Sequence, residues 1–358
     1  MSFSVAILFW TLSFFCYTSI MSFKLSFYGA AQEVTGSCFL LESDNTSLLI
    51  DCGLFQGARF LDERNLEPFL FKPSSISGLV VSHAHIDHIG RIPKLVNQGF
   101  NGPIFSTPPT RDFAKLMLTD SLGILSKEAE KHNRELIYQE KDIEKAIEQW
   151  QCVDYHQEFS IGDFKIILKD AGHILGSAMI EIKYNGKKIV FTGDLGNPPT
   201  PLLRPTEEIT DANILVIEST YGNRIHEGRN ERRLKLERVI EDTVCAGGTV
   251  MIPAFSLERT QELLFELNAL IEHRRIPQIP VFVDSPLAIK AMEVYREYDR
   301  YFNKEAKYII NSGDDVFKFP GLRFTLTTEE SKSINCLLYT SDAADELDGV
   351  DLGGRRII

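Results

Sequence analysis

Short apolar runs separated by glycine-containing and polar loops recur along the N-terminal half of the chain. The runs SLLI, SGLVV and KKIVF are rich in branched aliphatic side chains, which predicts buried β-strands. Asn185-Gly186 follows the alternating run SAMIEI and precedes KKIVF, and this dipeptide is a strong hairpin signal. Residues 109–150 instead combine helical periodicity with many charges. The pattern therefore predicts an α/β protein.

A dense group of metal-binding side chains follows the predicted strand 77–81. His83, His85, Asp87 and His88 lie within six positions. Burying them together would be costly, because imidazoles that protonate in a low-dielectric site repel one another. A divalent cation removes this conflict, since neutral imidazole and carboxylate are preferred nitrogen and oxygen ligands. The cluster therefore predicts a metal site rather than ordinary surface or core histidines.

Histidine and aspartate side chains also follow other predicted strands. Asp51 ends the strand within 47–57, His173 lies between glycines before SAMIEI, and Asp194 lies in a glycine-flanked loop after KKIVF. Each residue alone is weak evidence. Together they show the same arrangement several times: a rigid strand adjoins a loop that carries a potential metal ligand.

The complete series resembles the metallo-β-lactamase fold. Its members in chain order are Asp51, His83, His85, Asp87, His88, His173 and Asp194. The resemblance implies an αββα sandwich and two Zn²⁺ ions. It also implies that His83, His85 and His173 bind the first ion.

The same resemblance assigns roles to the remaining members of the series. Asp87 and His88 would bind the second zinc ion, and Asp194 would bridge both ions. Asp87 and Asp194 would thereby be catalytic residues as well as ligands. Asp51 matches a supporting aspartate that orients the site without binding metal.

Three later segments resemble the β-CASP subfamily, nucleic-acid-processing nucleases with a second domain inserted into the metallo-β-lactamase core. They are ESTYG with Glu218, PAFSLERTQELL with Ser256 and Arg259, and VDSPLA. The resemblance implies a catalytic role for Glu218. Ser256 and Arg259 lie near a predicted helix start and are candidate substrate-binding residues. Small polar residues next to a predicted helix N-terminus are also a common way to hold phosphate, although ordinary α/β packing explains Ser256 and Arg259 equally well.

The expected fold is thus α/β, a metallo-β-lactamase core over 21–218 with a partial inserted α/β β-CASP domain over 219–335. Residues 1–20 are apolar but lack the basic residues that open a secretory signal. They are expected to precede the natural start at Met21, with a weak signal-like segment as the alternative. Residues 336–358 are expected to be read from cloning or sequencing DNA.

Members of the subfamily continue beyond the position of residue 335 into a strand and further histidines. The β-CASP domain is therefore expected to be incomplete at its C-terminus in this sequence. The second zinc site would lack its last histidine, and Glu218 would lack the histidine expected to act with it as general acid.

Composition narrows the function only slightly. The chain has 358 residues and a net charge of −12, which argues against general electrostatic attraction to nucleic acid. It does not exclude a nuclease whose metal ions contact the scissile phosphate.

Six scattered cysteines are typical of free thiols in a reducing cytoplasm. No membrane association is expected, and a homodimer is left open. The other four histidines are expected on solvated faces: His132, His156, His226 and His273.

The leading functional hypothesis is a zinc-dependent hydrolase that cleaves RNA through a metal-bridging hydroxide. One alternative is a thioester or lactone hydrolase of the same fold, which the segments after residue 218 disfavour because small substrates need no inserted domain. The other is a non-catalytic partner subunit, which the complete ligand series up to Asp194 disfavours. Endonuclease against exonuclease action, and RNA against DNA preference, stay open.

Overall fold

The computed structural model describes residues 23–57, 63–226 and 228–338, and the backbone of residues 356–357. The expectations for residues 1–20 and for most of the segment after 335 fall outside these ranges. Within them, no helix combines the length and the apolar character that a membrane span requires.

The chain divides into two compact units. Of the described residues, the first comprises those up to Ala171, with 176–195 and 207–220. The second comprises 172–175, 196–206 and the described residues from Tyr221 onward.

The first unit contains a six-stranded sheet whose strands follow chain order. Its strands are β1 (Lys24–Phe27), β2 (Phe39–Glu42), β3 (Ser47–Ile50), β4 (Gly78–Val80), β5 (Ile104–Ser106) and β6 (Trp150–Cys152). The first three strands are antiparallel and the last four run parallel. Neighbouring parallel strands need crossover connections. Helices form the connections from β4 to β5 and from β5 to β6. These helices are α1 (Ile86–Ile89), α2 (Ile92–Asn97), α3 (Pro108–His132) and α4 (Glu140–Glu148).

A second sheet of the first unit has five strands. They are β7 (Glu158–Ile161), β8 (Phe164–Asp170), β9 (Ala178–Tyr184), β10 (Lys187–Phe191) and β11 (Ile214–Val216), in the sheet order β11-β10-β9-β8-β7. One core cluster contains buried residues from both sheets, including Leu48, Val80, Ile166 and Ile180. The predicted α/β sandwich is confirmed.

The predicted hairpin joins β9 and β10. Asn185 and Gly186 both have positive φ, 49° and 74°, as the favoured two-residue hairpin turn requires. Tyr184 pairs with Lys187 across this turn. The local signal therefore fixes the register of the two strands, between which Ile182 and Ile189 are paired and buried.

The second unit repeats the strand, loop and helix order that the sequence predicts. Its strands are β12 (Ile252–Pro253), β13 (Val281–Val283), β14 (Leu322–Phe324) and β15 (Arg356–Ile357), in the sheet order β12-β15-β13-β14. Its helices are α5 (Arg229–Cys245), α6 (Arg259–Glu272), α7 (Pro286–Glu297), α8 (Lys304–Asn311) and α9 (Thr328–Leu338). The pattern predicts that a helix starts near Ser256. Helix α6 begins three residues later, at Arg259, because the positive φ of Glu258 is not helical.

The four histidines outside the predicted metal series are all exposed. The side chains of His132 and His156 are 43% and 58% accessible. The prediction that these histidines lie on solvated faces is confirmed.

Gly53 lies in the segment after β3, where this segment passes helix α1 with Asp87 and His88. A Cβ at Gly53 would lie 1.5 Å from the carbonyl oxygen of Asp87 and 2.7 Å from the amide nitrogen of His88. Gly53→Ala must therefore displace either the segment after β3 or helix α1. We expect it to lower the free energy of unfolding by about 1–3 kcal/mol, as overpacking does.

Gly123 in α3 provides the matched control. No atom lies within 4 Å of its ideal Cβ position, so Gly123→Ala should raise the free energy of unfolding by about 0.5–1 kcal/mol. Denaturant unfolding of both variants measures the difference. Equal stability of the two variants would contradict the close approach at Gly53.

Candidate metal centre

The turn between β4 and α1 presents two histidine rings side by side. His83 is completely buried, and His85 is the extended residue that immediately precedes α1. Nε2 of His83 and Nδ1 of His85 lie 3.0 Å apart. The side chains two positions apart on an extended segment therefore converge, as the sequence pattern predicts.

Four side chains form a compact donor group. His83, His85, His173 and Asp194 each contribute one potential ligand atom, and these atoms all lie within 4.8 Å of one another. His173 comes from the loop between β8 and β9, and Asp194 follows β10. Three imidazoles and one carboxylate suit a divalent cation such as zinc. The structure thus brings together four of the predicted metal ligands.

Asp194 also faces a second set of donors. Its Oδ1 lies 3.4 Å from Nε2 of His88, whereas its Oδ2 lies 3.7 Å from Nε2 of His83. Nε2 of His88 is 3.9 Å from Oδ2 of Asp87. One carboxylate therefore presents a different oxygen to each of two histidines, which is the arrangement that a bridging ligand requires.

Asp51 orients His88 from behind. The buried carboxylate accepts hydrogen bonds from the backbone N–H and the hydroxyl of Ser82, both at 2.7 Å. Its Oδ2 also lies 2.8 Å from Nδ1 of His88. A carboxylate at Nδ1 fixes the proton there and leaves the lone pair of Nε2 for a metal. This geometry fits the supporting role predicted for Asp51.

The surroundings of His88 stabilise a positive charge. Burial lowers the pKa of His88, but the negative charges of Asp51 and Asp87 and a hydrogen bond with Asp194 raise the pKa well above its usual value. These three carboxylates supply the electrostatic attraction that a bound cation would need. The donors and the charge of the centre therefore both fit a divalent metal.

Glu218 is tied to the loop that carries Asp194. It follows β11, and its Oε1 accepts a hydrogen bond from the backbone N–H of Leu195 at 3.2 Å. Its Oε2 accepts from the backbone N–H of Thr220 at 3.1 Å. Two backbone donors thus fix a partly exposed carboxylate that touches the residue after Asp194.

Comparison with known families agrees with this geometry. The metallo-beta-lactamase superfamily matches residues 31–247, and the Beta-Casp domain matches residues 260–358. The chain belongs to the β-CASP family. Relatives of this chain are named ribonuclease and endoribonuclease, so the predicted resemblance to β-CASP RNA-processing nucleases is confirmed.

Three relatives illustrate how this β-CASP chain compares with characterised proteins. Ribonuclease TTHA0252 of Thermus thermophilus is 34% identical over 313 residues, covering 86% of this chain and 69% of that protein. Cleavage and polyadenylation specificity factor subunit 3-I of Arabidopsis thaliana is 35% identical over 300 residues, covering 81% and 42%. Transcription termination factor FttA of Methanosarcina mazei is 31% identical over 306 residues, covering 82% and 47%. The chain thus spans less than half the length of the last two relatives.

Two serines of this β-CASP chain belong to the centre although sequence reasoning missed them. Ser82 Oγ lies 3.0 Å from Nδ1 of His83 and 3.3 Å from Nδ1 of His88. Ser37 Oγ lies 3.4 Å from Nε2 of His88. The position of Ser82 immediately before His83 was a usable signal, because a neighbouring hydroxyl can orient a ligating imidazole. Ser37 lies far from the motif and carried no such signal.

Ser82→Ala should weaken metal binding without removing a ligand. The hydroxyl links Asp51 to two histidines, and the loss of such an outer partner typically lowers metal affinity by about 10–100-fold. Zinc retention against a graded chelator measures this affinity. Ser106→Ala is the matched control, since Ser106 is equally buried and bonds to Trp150 instead. Equal zinc retention in both variants would show that Ser82 does not organise the centre.

The two predicted substrate-binding residues of this β-CASP chain lie in the second unit. Ser256 Oγ is 3.3 Å from Ser285 Oγ. Nη1 of Arg259 pairs with Oε2 of Glu262 at 2.8 Å, and the Arg259 side chain is exposed. These contacts give Ser256 and Arg259 ordinary partners within the second unit, and their binding of substrate stays a prediction.

Proposed function

We propose that this chain is a zinc-dependent ribonuclease that hydrolyses phosphodiester bonds of RNA. The observation that carries the proposal is Asp194, whose two oxygens face His83 and His88 at 3.7 and 3.4 Å. Membership of a family of RNA-processing nucleases supports RNA as the substrate. One relative named as a ribonuclease aligns over 86% of the chain.

In this proposal the donors would be divided between two zinc ions. His83, His85 and His173 would hold the first ion, and Asp87 and His88 would hold the second, with Asp194 shared by both. When bound, zinc supplies a Lewis acid that makes water a stronger nucleophile and neutralises negative charge on a phosphate. The choice of zinc is supported by a donor set of nitrogen and oxygen atoms in which imidazole predominates.

The protein's own groups hold this centre rigid. Asp51 keeps the Nδ1 proton of His88 in place, so that Nε2 stays available as a ligand atom. Ser82 holds Asp51 through two hydrogen bonds. Because the ligand atoms are already in place, less free energy is spent on rearranging them when metal and phosphate bind.

Glu218 serves proton transfer rather than metal binding in this proposal. Both of its oxygens accept backbone hydrogen bonds, from Leu195 and Thr220. It is outside the compact donor group that includes Asp194. A carboxylate held beside the reacting phosphate can guide a proton between the attacking water and the leaving oxygen.

The net charge of −12 bears on how RNA would bind. A chain with this charge gains little from general attraction to the phosphate backbone. Binding then depends on local contacts, foremost between the scissile phosphate and the cations of the centre. RNA binding should therefore be lost when the metal is removed.

A substrate panel tests the proposal against its alternatives. The zinc-loaded chain is incubated with single-stranded RNA, with DNA of the same sequence and with a thioester, in parallel with a chelator-treated sample. We expect RNA cleavage that the chelator stops and no thioester hydrolysis. Thioester hydrolysis alone would indicate the small-molecule hydrolase, and zinc binding without any turnover would indicate a non-catalytic subunit.

A further inference from the structure

Glu258 is a buried carboxylate at a strained position of the backbone. Its φ and ψ are 66° and −58°, and the N–H of Arg259 donates to the carbonyl of Leu257 at 2.9 Å. These values describe a classic γ-turn, which is rare and strained for a residue with a Cβ. Glu258 occupies the N-cap position of α6, yet its side chain makes no capping hydrogen bond to that helix. The strain therefore does not serve helix capping.

The side chain of Glu258 instead reaches α7. Its Oε2 accepts a hydrogen bond from the hydroxyl of Tyr295, which is completely buried. Glu258 is only 6% exposed, and its Oε1 has no hydrogen-bond partner among the described residues. Burial raises the pKa of Glu258, and the charge of Glu262 raises it further. Such a buried polar group costs stability, so its presence calls for a role.

The backbone of the His173 loop supplies the third member of this arrangement. A backbone hydrogen bond from Leu175 lowers the pKa of Glu258 and that of Tyr295. Leu175 is completely buried and lies two positions after His173. The pair thus contacts the loop at its far end.

The near end of the same loop is held by backbone packing. Gly172 has φ of 63°, and a Cβ there would lie 2.8 Å from the carbonyl oxygen of Arg204 and from the amide nitrogen of Thr206. His173 therefore lies between two anchors. One is the close approach at Gly172, and the other is the Glu258–Tyr295 pair at Leu175.

We propose that Glu258 and Tyr295 are positioning residues that hold the loop of His173 in its metal-binding geometry. The inference rests on the proposed function, since it takes His173 as a metal ligand. A ligand must be held within about 0.5 Å of its productive position, and a short loop fixed at both ends meets that demand. At the γ-turn, the carboxyl group of Glu258 bonds to Tyr295 of α7 rather than to its own helix.

Removal of the Tyr295 hydroxyl is the smallest change that tests this proposal. Tyr295→Phe and Glu258→Ala in the full chain should each lower zinc affinity about tenfold, the low end for groups that orient metal ligands. Zinc affinity is measured by chelator competition, together with the melting temperature and with kcat and KM for RNA. We expect kcat to fall with KM unchanged, and Glu258→Gln to retain most of the zinc affinity because it still accepts the Tyr295 hydrogen bond.

Tyr301→Phe is the matched control, because Tyr301 is a second buried tyrosine of the same unit, 5% exposed. It should leave zinc affinity unchanged. If Tyr295→Phe lowers the melting temperature but not the zinc affinity, the pair is merely structural and the inference is overturned. A wild-type chain that binds no zinc would overturn the proposed function together with the inference. If Glu258→Ala does not fold, Tyr295→Phe decides the question, since it removes a single oxygen.

Discussion

Asp194→Ala should abolish RNA cleavage while the fold stays intact. The substitution removes both oxygens that face His83 and His88, so in the proposed dinuclear centre each zinc ion would lose a ligand and the two ions would lose their shared one. The loss of rate should exceed the about 10²–10³-fold that follows removal of one donor to a developing charge. Because the Asp194 side chain is 31% exposed, its truncation leaves no cavity in the core. Initial cleavage rates, zinc content and thermal unfolding measure the three effects.

Asp112→Ala is a matched control for this experiment. Its carboxylate is 29% exposed and pairs with Arg111, so the same substitution removes a similar side chain elsewhere in the first unit. The control should keep its zinc and its cleavage rate. If Asp194→Ala cleaved RNA as fast as this control, Asp194 could not be the shared ligand.

Glu218→Gln should slow cleavage by about 10²–10⁴-fold, the range for loss of general acid–base catalysis, and should leave zinc content unchanged. The amide keeps the shape of the side chain and an acceptor for one of its two backbone donors, Leu195 and Thr220. It cannot take up a proton at neutral pH. Steady-state kinetics and elemental analysis on the same preparation separate the two expectations.

Glu207→Gln serves as the control, because Glu207 is 28% exposed and likewise accepts a hydrogen bond from a backbone N–H, that of Asp170. It should cleave at the wild-type rate. A loss of zinc in Glu218→Gln would make Glu218 a ligand, and an unchanged rate would remove it from proton transfer.

Local signals in the sequence predict much of the first unit. Asn185-Gly186 specifies a hairpin by the conformations these two residues adopt most easily. The metal site around His83 and His85 can be predicted from the sequence because its members are close along the chain. Buried imidazoles also need a compensating partner. His173 and Asp194 come from distant loops, but each follows or precedes a predicted strand, so the sandwich fold brings them to the same region.

Local sequence patterns do not predict contacts that depend on the packing of elements distant along the chain. Ser37 reaches His88 across 51 positions of the chain, and no pattern near Ser37 predicts it. Tyr295 and Glu258 are 37 positions apart, and each resembles an ordinary residue of an amphipathic helix. The start of α6 at Arg259 depends on the positive φ of Glu258, which only the surrounding structure can impose.

Zinc titration of the metal-free wild-type chain tests the metal centre most directly. Four donors form the compact group, namely His83, His85, His173 and Asp194. The proposed second set has only Asp87 and His88, with Asp194 shared. Calorimetry should therefore detect one tightly bound zinc and one bound more weakly, and X-ray absorption should show nitrogen and oxygen ligands only. Absence of zinc binding, or sulfur ligation by Cys52 next to Asp51, would contradict this account.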